Sequence, residues 1–236
     1  MKTRLITIAT ILALFVTIAA SAENEEREVP SFSEISLRVP AKLHVEQGET
    51  QSVEVVAKSS TLEELITEVK GRELVIRFAA KNYLWKSFTP GKIEIFITVP
   101  EINALSISGS GNIINDGPVE SRILDLSVSG SGDIVLDDLK SNRVKVAISG
   151  SGSVELSGDD TAEDLSINAS GSGNFKGIGF MAQDVKVKLA GSGNAEVSAE
   201  KNLNVRAAGS GNVTYKGNPL VDQSIVGSGQ VKHINQ

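Results

Sequence analysis

Leu105-Ser-Ile-Ser-Gly-Ser-Gly-Asn-Ile113 is the stretch that decides the fold. Its Gly-Ser-Gly core occurs seven times, as Gly109-Ser-Gly111, Gly130-Ser-Gly132, Gly150-Ser-Gly152, Gly171-Ser-Gly173, Gly191-Ser-Gly193, Gly209-Ser-Gly211 and Gly227-Ser-Gly229. The interval is 18 to 21 residues. A period of this length, carrying a strand pattern in every copy, is the signature of stacked repeats. Two residues before the first glycine stand Ile107, Val128, Ile148, Ala169, Leu189, Ala207 and Ile225. Four after it stand Ile113, Ile134, Val154, Phe175, Ala195, Val213 and Val231. The residues between are mostly polar, which is the period-2 pattern of a strand with one face buried. A unit with two such strands and no room for a helix must pair with its neighbours. The expected fold is therefore all-β: a right-handed parallel β-helix of about seven rungs, spaced about 4.8 Å apart.

The apolar set and both glycines of each motif share one parity. The alternation predicts that the two glycines of each motif, such as Gly109 and Gly111, point inward at a corner too tight for a side chain. Ser108, Ser110 and Asn112, with their equivalents, then form an outward polar ribbon.

Upstream the organisation changes. Residues 1–22 read as a secretory signal: Lys2 and Arg4, an apolar run from Leu5 to Ala20, and Ala20-Ser21-Ala22 as a small-residue cleavage site. Residues 23–29 form an acidic N-terminal tail. Residues 30–100 alternate as strands of another kind, with turns at Gln47-Gly48 and Lys70-Gly71. They are expected to cap the first rung, since a solenoid needs its open end shielded. Residues 101–236 are the repeats, and residues 30–236 read as one continuous domain. Thr61 and Glu64 have capping-box spacing for a helical turn.

The runs Phe32-Ser-Glu-Ile-Ser-Leu-Arg-Val-Pro-Ala-Lys-Leu-His-Val-Glu-Gln-Gly48 and Ile93-Glu-Ile-Phe-Ile-Thr-Val-Pro-Glu-Ile-Asn-Ala-Leu-Ser-Ile-Ser-Gly-Ser-Gly-Asn-Ile113 resemble the opening and the first repeat of a known family. It is the auto-transporter adhesin head (GIN) domain family of exported bacterial β-helix proteins. The resemblance spans roughly residues 30–230. It implies the β-helix fold and export, and it assigns no functional residue, because a literal Gly-Ile-Asn is missing from this chain.

Charge narrows the partners. The chain has 23 basic and 29 acidic residues and a net charge of −6, and loss of Lys2 and Arg4 with the signal makes it more negative. Nucleic acid and anionic membrane surfaces are poor partners for such a chain. There is no cysteine, hence no disulfide framework and no lipidated cysteine. No integral membrane span is expected once the signal is removed. No phosphate loop, dinucleotide fingerprint or zinc spacing occurs, so no cofactor is expected. His44 and His233 come with no recognisable triad.

Three features carry candidate chemistry. The residue after each motif is Asn112, Asp133, Ser153, Asn174, Asn194, Asn212 or Gln230. The calcium-binding β-roll has aspartate in every repeat of about nine residues; a column of neutral amides suits stacking at a turn better than calcium. Asp116, Asp137, Asp138, Asp159 and Asp160 fall at similar phases in three consecutive units. They read as turn residues, with calcium or polysaccharide-cleaving chemistry beside Lys140 or Arg143 as the sharper reading. The segment 81–88 collects Tyr83, Trp85 and Phe88, either an end plug for the coil or a ligand-binding loop.

These features predict an exported, non-catalytic structural or binding module, adhesin-like, whose repeated faces contact a surface polysaccharide or protein. It would reside in the periplasm, at the outer membrane or outside the cell. A polysaccharide-active enzyme using Asp137, Asp138, Asp159 and Asp160 is the alternative. A third reading is a self-associating envelope protein, a homo-oligomer joined through a last rung that ends without an evident cap.

Overall fold

A computed structural model describes residues 23–79 and 89–235. The signal segment and the aromatic segment with Tyr83, Trp85 and Phe88 lie outside the described residues.

Seven Gly-Ser-Gly corners enclose a parallel β-solenoid of about six turns. The repeats comprise β8 (Ala104–Gly109), β9 (Asn112–Asn115), β10 (Val119–Gly130), β11 (Asp133–Leu136), β12 (Leu139–Gly150) and β13 (Ser153–Gly171). They continue as β14 (Asn174–Gly191), β15 (Ala195–Gly209), β16 (Val213–Lys216), β17 (Leu220–Gly227) and β18 (Val231–His233). The strand that ends in each corner stacks on its equivalents: Leu105, Leu126, Val146, Ile167, Val187 and Val205 pair in register, and so do all seven first glycines. The strand leaving each corner forms a second side, along which Ile113, Ile134, Val154, Phe175, Ala195 and Val213 align.

A third, shorter segment joins these two sides, where the sequence pattern predicted only two strands. Val119-Glu120-Ser121 of β10 pairs with Leu139-Lys140-Ser141 of β12. Its buried residues are odd-numbered, Val119 and Ser121, whereas those of the following strand are Leu124, Leu126 and Val128. The parity therefore slips once, at a corner closed by buried serines: Ser121 Oγ donates to the Ile123 carbonyl (2.9 Å) and Ser141 Oγ to that of Arg143 (3.2 Å). A serine hydroxyl bonded two residues ahead replaces the backbone bond that the bend removes.

Parity runs through Gly-Ser-Gly as expected, but the glycines are required for a different reason. The second glycine is buried at every corner but the last, where Gly229 is half-buried; the first is exposed or half-buried, with φ between +104° and +129°. A Cβ on Gly150 would lie 2.4 Å from the carbonyl oxygen of Gly130, and one on Gly152 would lie 2.1 Å from that of Gly132. What excludes a side chain is the backbone of the rung beneath. That close approach serves hydrogen bonding, since the Gly130 carbonyl accepts from both Ser151 N–H (2.8 Å) and Gly152 N–H (3.0 Å). The same forked bond recurs at every later corner.

The N-terminal strands are β1 (Glu23–Glu26), β2 (Glu34–Leu37), β3 (Lys42–Gln47), β4 (Ser52–Ala57), β5 (Leu65–Lys70), β6 (Glu73–Phe78) and β7 (Glu94–Val99), with one helical turn, α1 (Ser59–Leu62). They extend the same stack out of chain order. β2 and β3 lie in register on β8 and β9, and β6 and β7 lie on β2 and β3. Antiparallel β4 and β5 then end the two sides, with β1 outside β4. The capping box does not form: Lys58 occupies the N-cap, and Thr61 is buried within the turn, donating to the Pro90 carbonyl at 2.6 Å.

One core runs the length of the stack. Its largest buried side chains, Phe175 and Phe180, both belong to β14. The Phe175 ring stands over Gly177, where a Cβ would come within 2.5 Å of it, and the next rung answers with Ala195. Large opposite small keeps the rung spacing constant.

Candidate functional site

The outward positions of the second side form one row across ten strands: Glu54, Phe96, His44, Ile114, Val135, Glu155, Lys176, Glu196, Thr214 and Lys232. Charged residues dominate most of it, and Lys176 pairs with Glu155 at 3.2 Å. The four positions from Phe96 to Val135 break that pattern. Phe96 is 36% exposed, and His44 stacks on it with ring centroids 4.8 Å apart. Ile114 and Val135, half-buried, continue the strip. Three strand spacings of about 4.8 Å make it about 14 Å long.

His44 is fixed from its other side, since its Nδ1 lies 2.9 Å from both carboxylate oxygens of Asp116. The ring is thus held between a carboxylate and an aromatic face. A rigid apolar strip with one polar handle can stack on the apolar face of a sugar ring while Asp116 accepts from its hydroxyls.

This strip contains none of the expected ligand residues. Two signals for it were present: Ile114 and Val135 are apolar at the phase where Glu155, Lys176 and Glu196 stand in later repeats. Phe96 and His44 could not be added from the repeat, because β7 and β3 join the stack out of chain order.

The acidic residues do not assemble as one group. Asp116 pairs with His44 beside the strip and remains accessible there. Asp137 belongs to a ladder: its N–H donates to Asn115 Oδ1 (2.9 Å), its carbonyl accepts from Asn115 Nδ2 (2.5 Å), and its Oδ1 accepts from Ser157 Oγ (2.8 Å). Asp138 has φ +53°, a left-handed turn conformation that aspartate tolerates. Asp138, Asp159 and Asp160 line one shallow depression with Glu120 and Lys140. Lys140 Nζ stands 3.5 Å from Glu120 and 3.8 Å from Asp160. Arg143 lies apart from these acids, bonded to Asp164 (3.1 Å). Among the described residues, no three His, Asp or Glu side chains converge as metal ligands.

The column after the corners is an amide ladder. Asn174 Oδ1 accepts from Asn194 N–H (3.0 Å) and Nδ2 (3.2 Å), and Asn194 Oδ1 accepts likewise from Asn212 (3.1 and 3.2 Å). Asp133 fits the same ladder, accepting from Ser153 N–H at 2.9 Å. These oxygens are engaged with the stack itself.

The fold and its glycine-stacked corners define a class, the parallel β-solenoid with regular outer faces. The chain belongs to the family described as putative auto-transporter adhesin, head GIN domain, whose pattern matches residues 31–219. Among solved structures it is similar to a putative lipid binding protein from Parabacteroides distasonis, with 26% identity, a TM-score of 0.77, and coverage of 92% of this chain and 98% of that one. A putative adhesin from the same organism is also 26% identical, with TM-score 0.72 and the same coverages. A putative adhesin from Bacteroides fragilis shares the fold at 22% identity, with TM-score 0.83, covering 91% of this chain and 97% of that one. No curated protein matches. No helix among the described residues is long and apolar enough to cross a membrane.

Proposed function

We propose that the protein is an exported, non-catalytic, adhesin-like binding module that holds a surface glycan against the strip Phe96–His44–Ile114–Val135. The observation that carries this reading is the strip's placement. It is an apolar and aromatic interval, in register across four strands, in a row that is otherwise mostly charged. Backbone pairing holds every member, so the surface is already in its binding geometry and little ordering entropy is lost on contact. Adhesin names among the structural relatives support the class of activity, and a location in the periplasm, at the outer membrane or outside the cell accords with it. The lipid-binding name of one relative fits the same strip, since an acyl chain also prefers an apolar track.

A glycan-array and cell-wall-polymer screen, run with and without calcium, tests the proposal. Saturable binding that is indifferent to calcium and leaves the polymer intact is the expected result. Release of shortened polymer would replace it with an enzyme using Asp138, Asp159 and Asp160. Binding only with calcium would move the site to that acidic depression.

A further inference from the structure

The two ends of the stack are finished differently. At the N-terminal end, β1 places Glu23, Glu25 and Glu26 on the outermost strand of one side, and clustered charge on an edge discourages pairing. At the other end, β17 pairs along one edge with β15, and among the described residues no strand pairs with its other edge. That strand is unguarded: Leu220 is 79% exposed and Val226 72%. Its single ionisable residue, Asp222, is occupied within its own stack by Arg206 (2.7 Å) and Asn204 (2.9 Å). Beneath it the core is unfinished, with Ile225, Val231 and Tyr215 only partly buried.

We infer that two copies of the chain join tail to tail by antiparallel pairing of their β17 edges about a two-fold axis at Gln223. The sequence of the strand selects that axis. Val221 and Ile225 lie in register with inward Leu203 and Ala207, so Leu220, Asp222, Ser224 and Val226 face outward. Facing residues of paired strands share a side of the sheet, so the axis must pass through a residue and not between two. Centred on Asp222, the pairing would set two carboxylates opposite each other. Centred on Ser224, it would set Asp222 against the partner's Val226. Centred on Gln223, Leu220 meets the partner's Val226, Val221 meets the partner's Ile225, and Asp222 meets the partner's Ser224. The two glutamine amides then meet on the axis, where each can donate to and accept from the other.

An isologous edge contact of this kind closes on itself and gives a dimer, not a fibre. It places the two glycan strips, which lie towards the opposite ends, on one rigid rod, so a polymer can be held at two points. The inference concerns a different surface from the glycan reading, and each can fail alone.

Sedimentation of the full chain, expressed as encoded, tests it. A dimer is expected, with Leu220→Glu and Val226→Lys each weakening self-association by about tenfold or more. Both sites are exposed, so circular dichroism and melting should remain as in the wild type. Mixing the two variants should restore a dimer, because the axis places each new glutamate opposite a new lysine. Gln223→Cys, in a chain with no other cysteine, should cross-link on mild oxidation. A monomeric wild type, a dimer that both charge variants leave intact, or a mixture that stays monomeric would overturn the proposal.

Discussion

Gly150 and Gly109 occupy the same place in the repeat and should nevertheless differ in what they tolerate. Both have φ near +120°, so alanine is strained at either. At Gly109 a Cβ meets nothing within 4 Å, because no corner lies beneath it. Gly109→Ala should therefore cost only the backbone term, about 1–3 kcal/mol. At Gly150 the same methyl strikes the Gly130 carbonyl, which already accepts two hydrogen bonds. Gly150→Ala should cost about 4 kcal/mol or more, and thermal or urea unfolding of the pair would show the difference directly. The ladder behaves more mildly. Asn194→Ala removes the acceptor of Asn212 N–H at an exposed site, where water can replace it, and should cost about 1 kcal/mol in the same assay.

At the level of the strand, the inward columns carry the stability. Val146→Ala deletes two methyl groups at a site 1% exposed and should cost roughly 2–4 kcal/mol in chemical unfolding. The last strand has a weaker and pH-dependent tie. Hydrogen bonding to Arg206 holds the Asp222 carboxyl below its ordinary value of 3.8. A depressed carboxylate stabilises the fold above its unfolded value and loses that contribution as pH falls through the folded one. Amide protection in β17, taken relative to the intrinsic exchange rate, should therefore fall below about pH 4, ahead of the interior strands, and Asp222→Asn should abolish that pH dependence. The period, the inward columns and the corner ladder were all legible from one aligned tripeptide, because a strand shows its buried face as simple alternation. The third segment was not, because Ser121 and Ser141 are buried polar residues and look like surface. The placement of β2 and β3 between β6 and β7 on one hand and the first repeat on the other was not legible either, since nothing local records which strand a chain returns to.

For the molecule as a whole, the proposed function makes binding a local property of the apolar interval on the second side of a regular stack. The acidic turns then serve the backbone. Changing Asp137, Asp138, Asp159 and Asp160 together to asparagine should leave glycan affinity within about twofold, as read by titration calorimetry. Phe96 is the exposed member of the strip, and its removal should leave the solenoid folded. The decisive measurement is the affinity of Phe96→Ala for whichever polymer the wild type retains, with melting monitored alongside. Loss of binding by about tenfold or more, at near wild-type melting temperature, is the predicted result. Unchanged affinity in a folded Phe96→Ala protein would contradict the assignment of the strip as the binding surface.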